Sequence, residues 1–261
     1  MVRCKINETN TYPKIIHANG NSKRSGLVYE SIINKFLTTQ KPIIDADSDL
    51  TIVTWKGGKY KNEETILEKC MRFYDHPIAI LDWPENEEFW EASKTKIVGT
   101  LNFLNSNINT KYFMWFDAGD VVLTEPPSKI LEVYKNKFND KLVFCAERNH
   151  YPKENRQLNW SVELRNQYKK LENDDNQYDV SFKYMNTGCC VGKTDIVIEF
   201  LKTCKKWLHH PINDTVAGRL AQKEMSDRVV VDRNCELFVC LYDVSIDEVK
   251  IDTKTDETLN E

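Results

Sequence analysis

Hydrophobic residues follow two alternating patterns along the chain. Continuous, β-rich apolar runs occupy residues 49–58, 78–83, 111–123 and 141–147, and the region 229–251 predicts two or three further strands. Between these runs, apolar residues recur at helical spacing. The predicted helices cover residues 25–37, 63–74, 89–106, 128–138 and 194–210, and Thr194 or Asp195 is the expected N-cap of the last. This alternation predicts an α/β fold whose mostly parallel sheet is covered by helices on both faces.

Composition and charge exclude several classes of protein. The net charge is −4 and no Lys/Arg block stands out, so we expect no nucleic-acid partner. The apolar runs are too short for a membrane span, and the opening ten residues lack an apolar signal segment. The eight cysteines form no C-x-x-C pair. We interpret them as free, buried side chains rather than as a disulfide framework or a zinc ribbon.

Two carboxylates follow a buried strand in the stretch "MWFDAGDVV". Asp117 and Asp120 lie three residues apart, where the carboxyl end of a strand meets a loop. Ligands of parallel sheets bind at that edge, and paired carboxylates suit Mg²⁺ or Mn²⁺ bound to a diphosphate. The spacing alone equally fits a β-turn that begins with Asp and contains Gly119.

Two other segments carry candidate chemistry. In "KIIHANGNSK", His17 follows a β-type run and precedes an Asn-Gly turn that can present N–H groups to an anion. A structural histidine is the alternative. In "NTGCCVG", Gly188 allows a backbone to approach a ligand, and a tight turn between two strands is the alternative. The charged stretch 152–179 interrupts the pattern and predicts a surface excursion that acts as a lid.

Together these segments resemble the glycosyltransferase domain of the multifunctional procollagen lysyl hydroxylases. "YFMWFDAGDVVLTEPPSKILEVYKNKFNDKLVFCAE" is similar to that family's strand, D-x-x-D, helix and strand ending in Ala-Glu. "YMNTGCCVGK", "VVVDRNCELFVCLY…IDEVKID" and "IIHANGNSK" are similar to its L-N-S-G-G-F-I-G, L-D-x-x-x-x-I-F-Q…L-D-E-V and H-G-N-G-P-T-K segments. The resemblance implies a GT-A-like, Rossmann-like fold.

The order of the segments departs from the family. Its H-G-N-G segment comes last, whereas the matching "HANG" here comes first. We favour a circular permutation, in which residues 1–261 form one glycosyltransferase domain. Residues 1–48 are then a permuted metal- and phosphate-binding segment with a helix, and 49–261 are the GT-A core. The hypothesis predicts that Met1 lies near Glu261 and that His17 lies near Asp117. A fragment of a tandem array is the alternative.

The resemblance implies a role for each matching residue. Asp117, Asp120 and His17 would hold Mn²⁺, or alternatively Mg²⁺, on the diphosphate of a UDP-sugar. Thr54 and Trp55 would lie near the uridine, which Trp83 or Trp90 would flank. Lys96, Asn19 and Gly20 would lie on the phosphate side. Glu147 and Asn186 would line the sugar and acceptor side, with Tyr151 at the acceptor cleft. Asn213 and Asp214 are the nearest counterparts of the family's acidic run.

The implied reaction is the Mn²⁺-dependent, retaining transfer of a hexose, with glucose favoured, to galactosyl-hydroxylysine of a collagen-like protein. Two alternatives stay open. The first is a galactosyltransferase acting on hydroxylysine or on another glycan acceptor, and the second is a silent, collagen-binding module. Localisation is open between the cytosol of a virus-infected cell and the ER lumen. The sequence predicts no oligomeric state.

Overall fold

The structure is a computed structural model that describes residues 2–19, 49–57, 61–82, 89–106, 109–153, 157 and 159–253. The predicted helix over 25–37 therefore lies outside the described residues. The other four predicted helices are present, and two additional ones are found, one within 152–179 and one after Asn213. The helices are α1 (Ile66–Phe73), α2 (Phe89–Asn105), α3 (Pro127–Phe138), α4 (Val162–Asn176), α5 (Thr194–Trp207) and α6 (Asp214–Glu224).

A six-stranded sheet forms the centre of the fold. Its strands are β3 (Leu50–Lys56), β4 (Ala79–Asp82), β5 (Tyr112–Phe116), β7 (Leu142–Glu147), β8 (Tyr184–Lys193) and β9 (Val229–Asp232). They lie in the order β4-β3-β5-β8-β7-β9, and β8 alone runs antiparallel to its neighbours. The predicted α/β class with a mostly parallel sheet is therefore confirmed.

Helices cover both faces of this sheet. Alternate side chains of a strand point to opposite faces. From β5, Tyr112 meets Tyr134 of α3 at 6.0 Å between ring centroids, while Trp115 meets Phe200 of α5 at 6.5 Å on the other face. The strands are buried on both sides, which explains why their sequences are continuously apolar rather than alternating.

Two smaller sheets join segments that are distant in sequence. β2 (Ile15–His17) lies between β10 (Phe238–Cys240) and β6 (Val121–Leu123), parallel to the first and antiparallel to the second. β1 (Val2–Ile6) pairs antiparallel with β11 (Val249–Thr253). The two ends of the described chain are thus neighbours, whereas Met1 and Glu261 themselves lie outside the described residues.

The structure corrects three local predictions. Residues 184–193 form one continuous buried strand, β8, rather than two pieces joined by a turn, because β5 and β7 satisfy its backbone on both sides. The stretch 152–179 contains α4 rather than only an excursion. Finally, α5 begins at Thr194 with Lys193 as the N-cap residue, so neither Thr194 nor Asp195 caps it. The cysteine prediction is confirmed for the described side chains, which are buried and free.

A buried ion pair explains why the polar sequence of α4 is held to the fold. Arg219 of α6 is 1% exposed, and its guanidinium donates to Asp175 of α4 at 2.5 Å and to the Tyr168 hydroxyl at 2.8 Å. Arg233 donates to the other carboxylate oxygen of Asp175 at 3.0 Å. The charge of Asp175 therefore compensates two guanidinium groups between α4 and the sheet.

Removing that charge should destabilise the fold. We expect Asp175→Asn to lower the free energy of unfolding by about 3–5 kcal/mol, because the buried Arg219 loses its counter-charge. The neighbouring Asp174 pairs with Lys223 on the surface, so Asp174→Asn is the matched control and should change little. Urea denaturation of both variants measures the difference. Equal effects would show that α4 is not held by the buried pair.

Candidate active site

The two predicted carboxylates lie in a bend at the carboxyl end of β5. Asp117 follows Phe116 directly, and its backbone N–H donates to the carbonyl oxygen of Gly188 on β8 at 2.8 Å. Asp120 ends the bend, and its carbonyl oxygen accepts from the N–H of Ala18 at 2.9 Å. The segment therefore forms a bend, as the turn interpretation expected. The same bend presents the two carboxylates of the metal-site interpretation.

His17 is brought to these carboxylates by the pairing of β2 with β6, which sets His17 opposite Val121. Its Nε2 lies 3.4 Å from Oδ1 of Asp120 and 3.6 Å from Oδ2 of Asp117. This buried nitrogen has no hydrogen-bond partner among the described residues. The predicted proximity of His17 to Asp117 is therefore confirmed, with an imidazole nitrogen directed at two carboxylate oxygens.

The absence of a side chain at Gly188 makes room for this convergence. A Cβ atom there would lie 2.3 Å from Cε1 of His17 and 2.8 Å from Oδ2 of Asp117. Both distances are far shorter than real carbon contacts. Only glycine at this position of β8 allows the ring and the carboxylate to occupy their places.

Lys96 of α2 is a buried cation at the inner end of the site. Its Nζ donates to Oδ1 of Asp117 at 2.9 Å and lies 3.2 Å from Oδ2 of Asp214. It also donates to the carbonyl oxygen of Thr187 at 3.2 Å. Burial lowers the pKa of Lys96, but the two carboxylates raise it by more, so it remains charged. The other oxygen of Asp117 is left facing His17.

The electrostatics of the site favour a further positive charge. Lys96 balances only one of the three carboxylates of Asp117, Asp120 and Asp214. Burial lowers the pKa of His17, yet the surrounding charges and hydrogen bonds, with the Asp120 charge foremost, together raise it to well above the usual histidine range. Burial likewise raises the pKa of Asp120, but the charge and hydrogen bond of His17 and the charge of Lys96 together lower it by more. Without a metal, a proton on His17 supplies part of the missing charge.

These residues fit a divalent metal ion. One imidazole nitrogen and two carboxylates form a donor set that first-row divalent ions accept, and their atoms lie within 4.8 Å of one another. The unpartnered Nε2 of His17 is the atom that such an ion would bind. The side chains of Asp117 and Asp120 are 40% and 37% exposed, so their oxygens are accessible from solvent.

A buried carboxylic acid lies beside the cluster of His17, Asp117 and Asp120. Glu147, at the end of β7, accepts a hydrogen bond from Nδ2 of Asn19 at 3.1 Å, and Asn186 also hydrogen-bonds it. Burial is the main cause that raises the pKa of Glu147 to about 8. Asn186 holds the adjacent backbone as well, since its side-chain oxygen accepts from the N–H of Gly188 at 2.7 Å. Glu147 is therefore mostly protonated at neutral pH.

One cavity of 610 Å³ unites most of the predicted site. The predicted residues that line it are His17, Asn19, Lys96, Asp117, Asp120, Glu147, Tyr151, Asn186, Asn213 and Asp214. The side-chain oxygen of Asn213 also caps α6 by accepting from the N–H of Val216 at 2.9 Å.

Other predicted residues lie elsewhere. Thr54 and Trp55 are not among the lining residues. The Thr54 hydroxyl donates to the carbonyl oxygen of Phe116, and Trp55 packs edge-on against Trp115 inside the fold. Gly20 and Trp83 lie outside the described residues, as does the side chain of Trp90.

The cavity also contains residues that sequence reasoning missed. Thr187 is the clearest, because its hydroxyl donates to Asp214 at 2.8 Å while its carbonyl oxygen accepts from Lys96. Its position beside Gly188 in "NTG" was the available signal, but that segment was interpreted as a turn. His150 and Tyr242 also line the cavity, and no local pattern marks them.

Comparisons with known proteins show similarities to individual proteins but no family. No protein-family model matches the chain. An uncharacterized protein of Acanthamoeba polyphaga mimivirus is 28% identical over 155 residues, which are 59% of this chain and 30% of that protein. The chain therefore spans less than a third of this relative's length. A solved glycosyltransferase involved in glycosylation of the major capsid of PBCV-1 is 13% identical, with a TM-score of 0.41. That similarity covers 70% of this chain and 81% of the other.

In addition, none of the helices in the described part of the chain is long and apolar enough to cross a membrane.

The role of Gly188 can be tested by adding one methyl group. We expect Gly188→Ala to weaken Mn²⁺ binding by about 10–100-fold, because the new Cβ displaces His17 or Asp117. Gly99→Ala on α2 is the matched control, since a Cβ there would meet nothing within 4 Å. Titration of each protein with Mn²⁺, followed by electron paramagnetic resonance, measures the affinities. Unchanged binding in Gly188→Ala would contradict the steric argument.

The protonation of Glu147 predicts a pH dependence of stability. Its pKa in the fold is about 8, above the ordinary glutamate value of about 4.5, so the folded state retains a proton that the unfolded chain releases. The free energy of unfolding should therefore fall as pH rises from about 4.5 to about 8. Glu147→Gln keeps an uncharged acceptor for Asn19 and should flatten this decline. Urea denaturation of the metal-free proteins across that range measures it, and parallel pH profiles would contradict the assignment.

Proposed function

We propose that the protein is a GT-A-like, divalent-metal-dependent glycosyltransferase that transfers a hexose from a UDP-sugar to a hydroxyl group. The observation that carries this proposal is the convergence of His17, Asp117 and Asp120. Their ligand atoms lie within 4.8 Å of one another at the edge of a 610 Å³ cavity. A cavity of this size suits a nucleotide sugar, because small-molecule sites range from about 300 to 1,000 Å³.

In this proposal the residues divide into a metal-binding and a phosphate-facing set. His17, Asp117 and Asp120 would hold Mn²⁺, or Mg²⁺, whose Lewis acidity stabilises negative charge on a departing diphosphate. Lys96 supplies a second positive charge beside them and orients Asp117 through its Oδ1 contact at 2.9 Å. Asn19, two residues beyond the end of β2, also lines the cavity.

Asp214 is proposed as the electrostatic partner of the reacting sugar. Its Oδ2 is held by the Thr187 hydroxyl at 2.8 Å and by Lys96 at 3.2 Å, so its orientation is fixed before substrate binds. A carboxylate placed in this way stabilises positive charge that develops at the anomeric carbon. Retention with front-face transfer is the proposed course, in which the leaving phosphate helps to deprotonate the acceptor hydroxyl.

The proposed donor and acceptor follow from the resemblance to the lysyl hydroxylase family. UDP-glucose is the favoured donor and galactosyl-hydroxylysine of a collagen-like protein is the favoured acceptor. The wall formed by Glu147, His150, Tyr151 and Tyr242 would face that acceptor. Transfer of galactose to hydroxylysine, or of a hexose to another glycan, is the alternative reaction of the same site.

We further propose that residues 1–261 form one circularly permuted domain. Two pairings support this. β1 pairs with β11, which brings the ends of the described chain together, and β2 is inserted between β6 and β10. Under permutation, His17 completes the site of its own chain, consistent with its 3.4 Å distance from Asp120.

The proposed activity predicts metal-dependent release of UDP. With UDP-glucose, Mn²⁺ and a galactosyl-hydroxylysine peptide, we expect turnover that chelation abolishes. Asp120→Asn should reduce the rate by about 10³-fold, because losing a metal carboxylate removes several kcal/mol of transition-state stabilisation. Asp227→Asn, an exposed carboxylate on the surface, is the control and should keep full activity.

The assay also separates the alternatives. Turnover with UDP-galactose and hydroxylysine would identify the galactosyltransferase instead. Mn²⁺ binding without UDP release from any donor and acceptor in a panel would favour the silent, collagen-binding module. Turnover that is unchanged in Asp120→Asn would contradict the metal-dependent mechanism.

A further inference from the structure

A second cluster of ligand atoms lies around the other nitrogen of His17. Cys145 of β7 and Cys240 of β10 are 0% exposed, and their sulfur atoms lie with a nitrogen of His17 inside a 4.8 Å group. The Sγ of Cys240 is 4.0 Å from Nδ1 of His17. The imidazole thus has carboxylates near Nε2 and the Cys240 thiol near Nδ1, with the Cys145 thiol in the same group as Cys240.

The spacing of this cluster is close to that of a metal site. In tetrahedral zinc sites the Zn–S bond is about 2.3 Å and the Zn–N bond is about 2.0–2.1 Å, which places a sulfur and a nitrogen ligand about 3.6 Å apart. The observed separation of 4.0 Å between Sγ and Nδ1 requires only a small adjustment.

The chemistry of the two clusters differs sharply. Carboxylate oxygens suit hard ions such as Mn²⁺ and Mg²⁺, whereas thiolates select soft ions. We propose that His17, Cys145 and Cys240 form a second cation site, selective for thiophilic ions such as Zn²⁺ or Cd²⁺. This site does not rest on the proposed transferase activity, since it requires only the three side chains.

Asn19 connects this cluster to the cavity. Asn19 lines the cavity wall, and its Oδ1 accepts a hydrogen bond from the Cys240 thiol at 2.5 Å. Asn19 therefore lies between the cavity and the buried sulfur. Binding would release the thiol protons and replace this hydrogen bond with a metal–sulfur bond.

Occupation of this site would act on the carboxylate site through His17. A neutral imidazole has one nitrogen free to bind a metal and one that carries a proton. An ion on Nδ1 leaves the proton on Nε2, so Asp117 and Asp120 lose their nitrogen ligand. Thiophilic ions should therefore weaken Mn²⁺ binding, a consequence that rests on the proposed role of His17 at the carboxylate site.

The direct test is a Cd²⁺ titration of the full chain under a phosphine reductant. We expect an ultraviolet sulfur-to-cadmium charge-transfer band that saturates at one ion per chain. The band should be lost in Cys145→Ser and Cys240→Ser. It should persist in Cys204→Ser, a buried cysteine of α5 that lies outside the cluster, and in Asp120→Asn. Thermal unfolding of each variant confirms that it is folded.

A second measurement avoids substitutions altogether. X-ray absorption of the Cd²⁺-loaded wild-type protein should show two sulfur neighbours and at least one nitrogen or oxygen neighbour. Absence of the band, its persistence in Cys240→Ser, or a coordination shell of oxygen alone would overturn the proposal. Loss of the band in Asp120→Asn would assign the ion to the carboxylate site instead, and would also overturn it.

Electron paramagnetic resonance completes the test, because it reports Mn²⁺ alone. Saturating Cd²⁺ should weaken Mn²⁺ binding by about 10–100-fold in the wild type and not in Cys240→Ser. Undiminished Mn²⁺ binding beside a full charge-transfer band would contradict the shared use of His17. A protein that binds Cd²⁺ through sulfur but never binds Mn²⁺ would support the thiol site while refuting the proposed function.

Discussion

Close contact between β2 and β8 is the constraint on which the site depends. His17 and Asp117 occupy the volume that a side chain at Gly188 would fill. A Cβ atom on residue 188 would lie 2.3 Å from Cε1 of the His17 ring. The same glycine is held in place by Asn186, whose side chain accepts from its N–H. A residue in a buried strand of the sheet therefore sets the separation of ligands that come from two other segments.

Charge then determines what this arrangement attracts. Asp117 and Asp214 pair with one buried lysine, whereas Asp120 lies beside His17, whose pKa is raised. Such a site binds positive charge whether it arrives as a proton or as a metal ion. The thiols of Cys145 and Cys240 form a second group with the same ring. His17 therefore belongs both to the carboxylate cluster, which suits hard ions, and to the thiol cluster, which suits soft ions.

The sequence predicted what depends on local pattern. Continuous apolar runs marked the central strands, and the position of Asp117 after β5 placed it at the ligand-binding edge. Non-local features were harder to predict. The pattern around His17 left a structural histidine open, and only the resemblance assigned it to the metal site, because its partners on β6 and β10 are about a hundred or more residues away. Gly188 was assigned to a turn, since Asn, Thr and Gly favour turns unless neighbouring strands satisfy their backbone. The polar sequence of α4 did not indicate that this helix packs against the fold. Arg219, which pairs with Asp175 of α4, lies 44 residues further along the chain.

The most direct test of the central claim is anomalous scattering at the manganese edge from crystals soaked with Mn²⁺ and UDP. The account predicts one manganese peak in contact with Nε2 of His17, Oδ2 of Asp117 and Oδ1 of Asp120, with the diphosphate completing its coordination. A manganese peak at other residues, or UDP bound outside the cavity with no metal at His17, would contradict it.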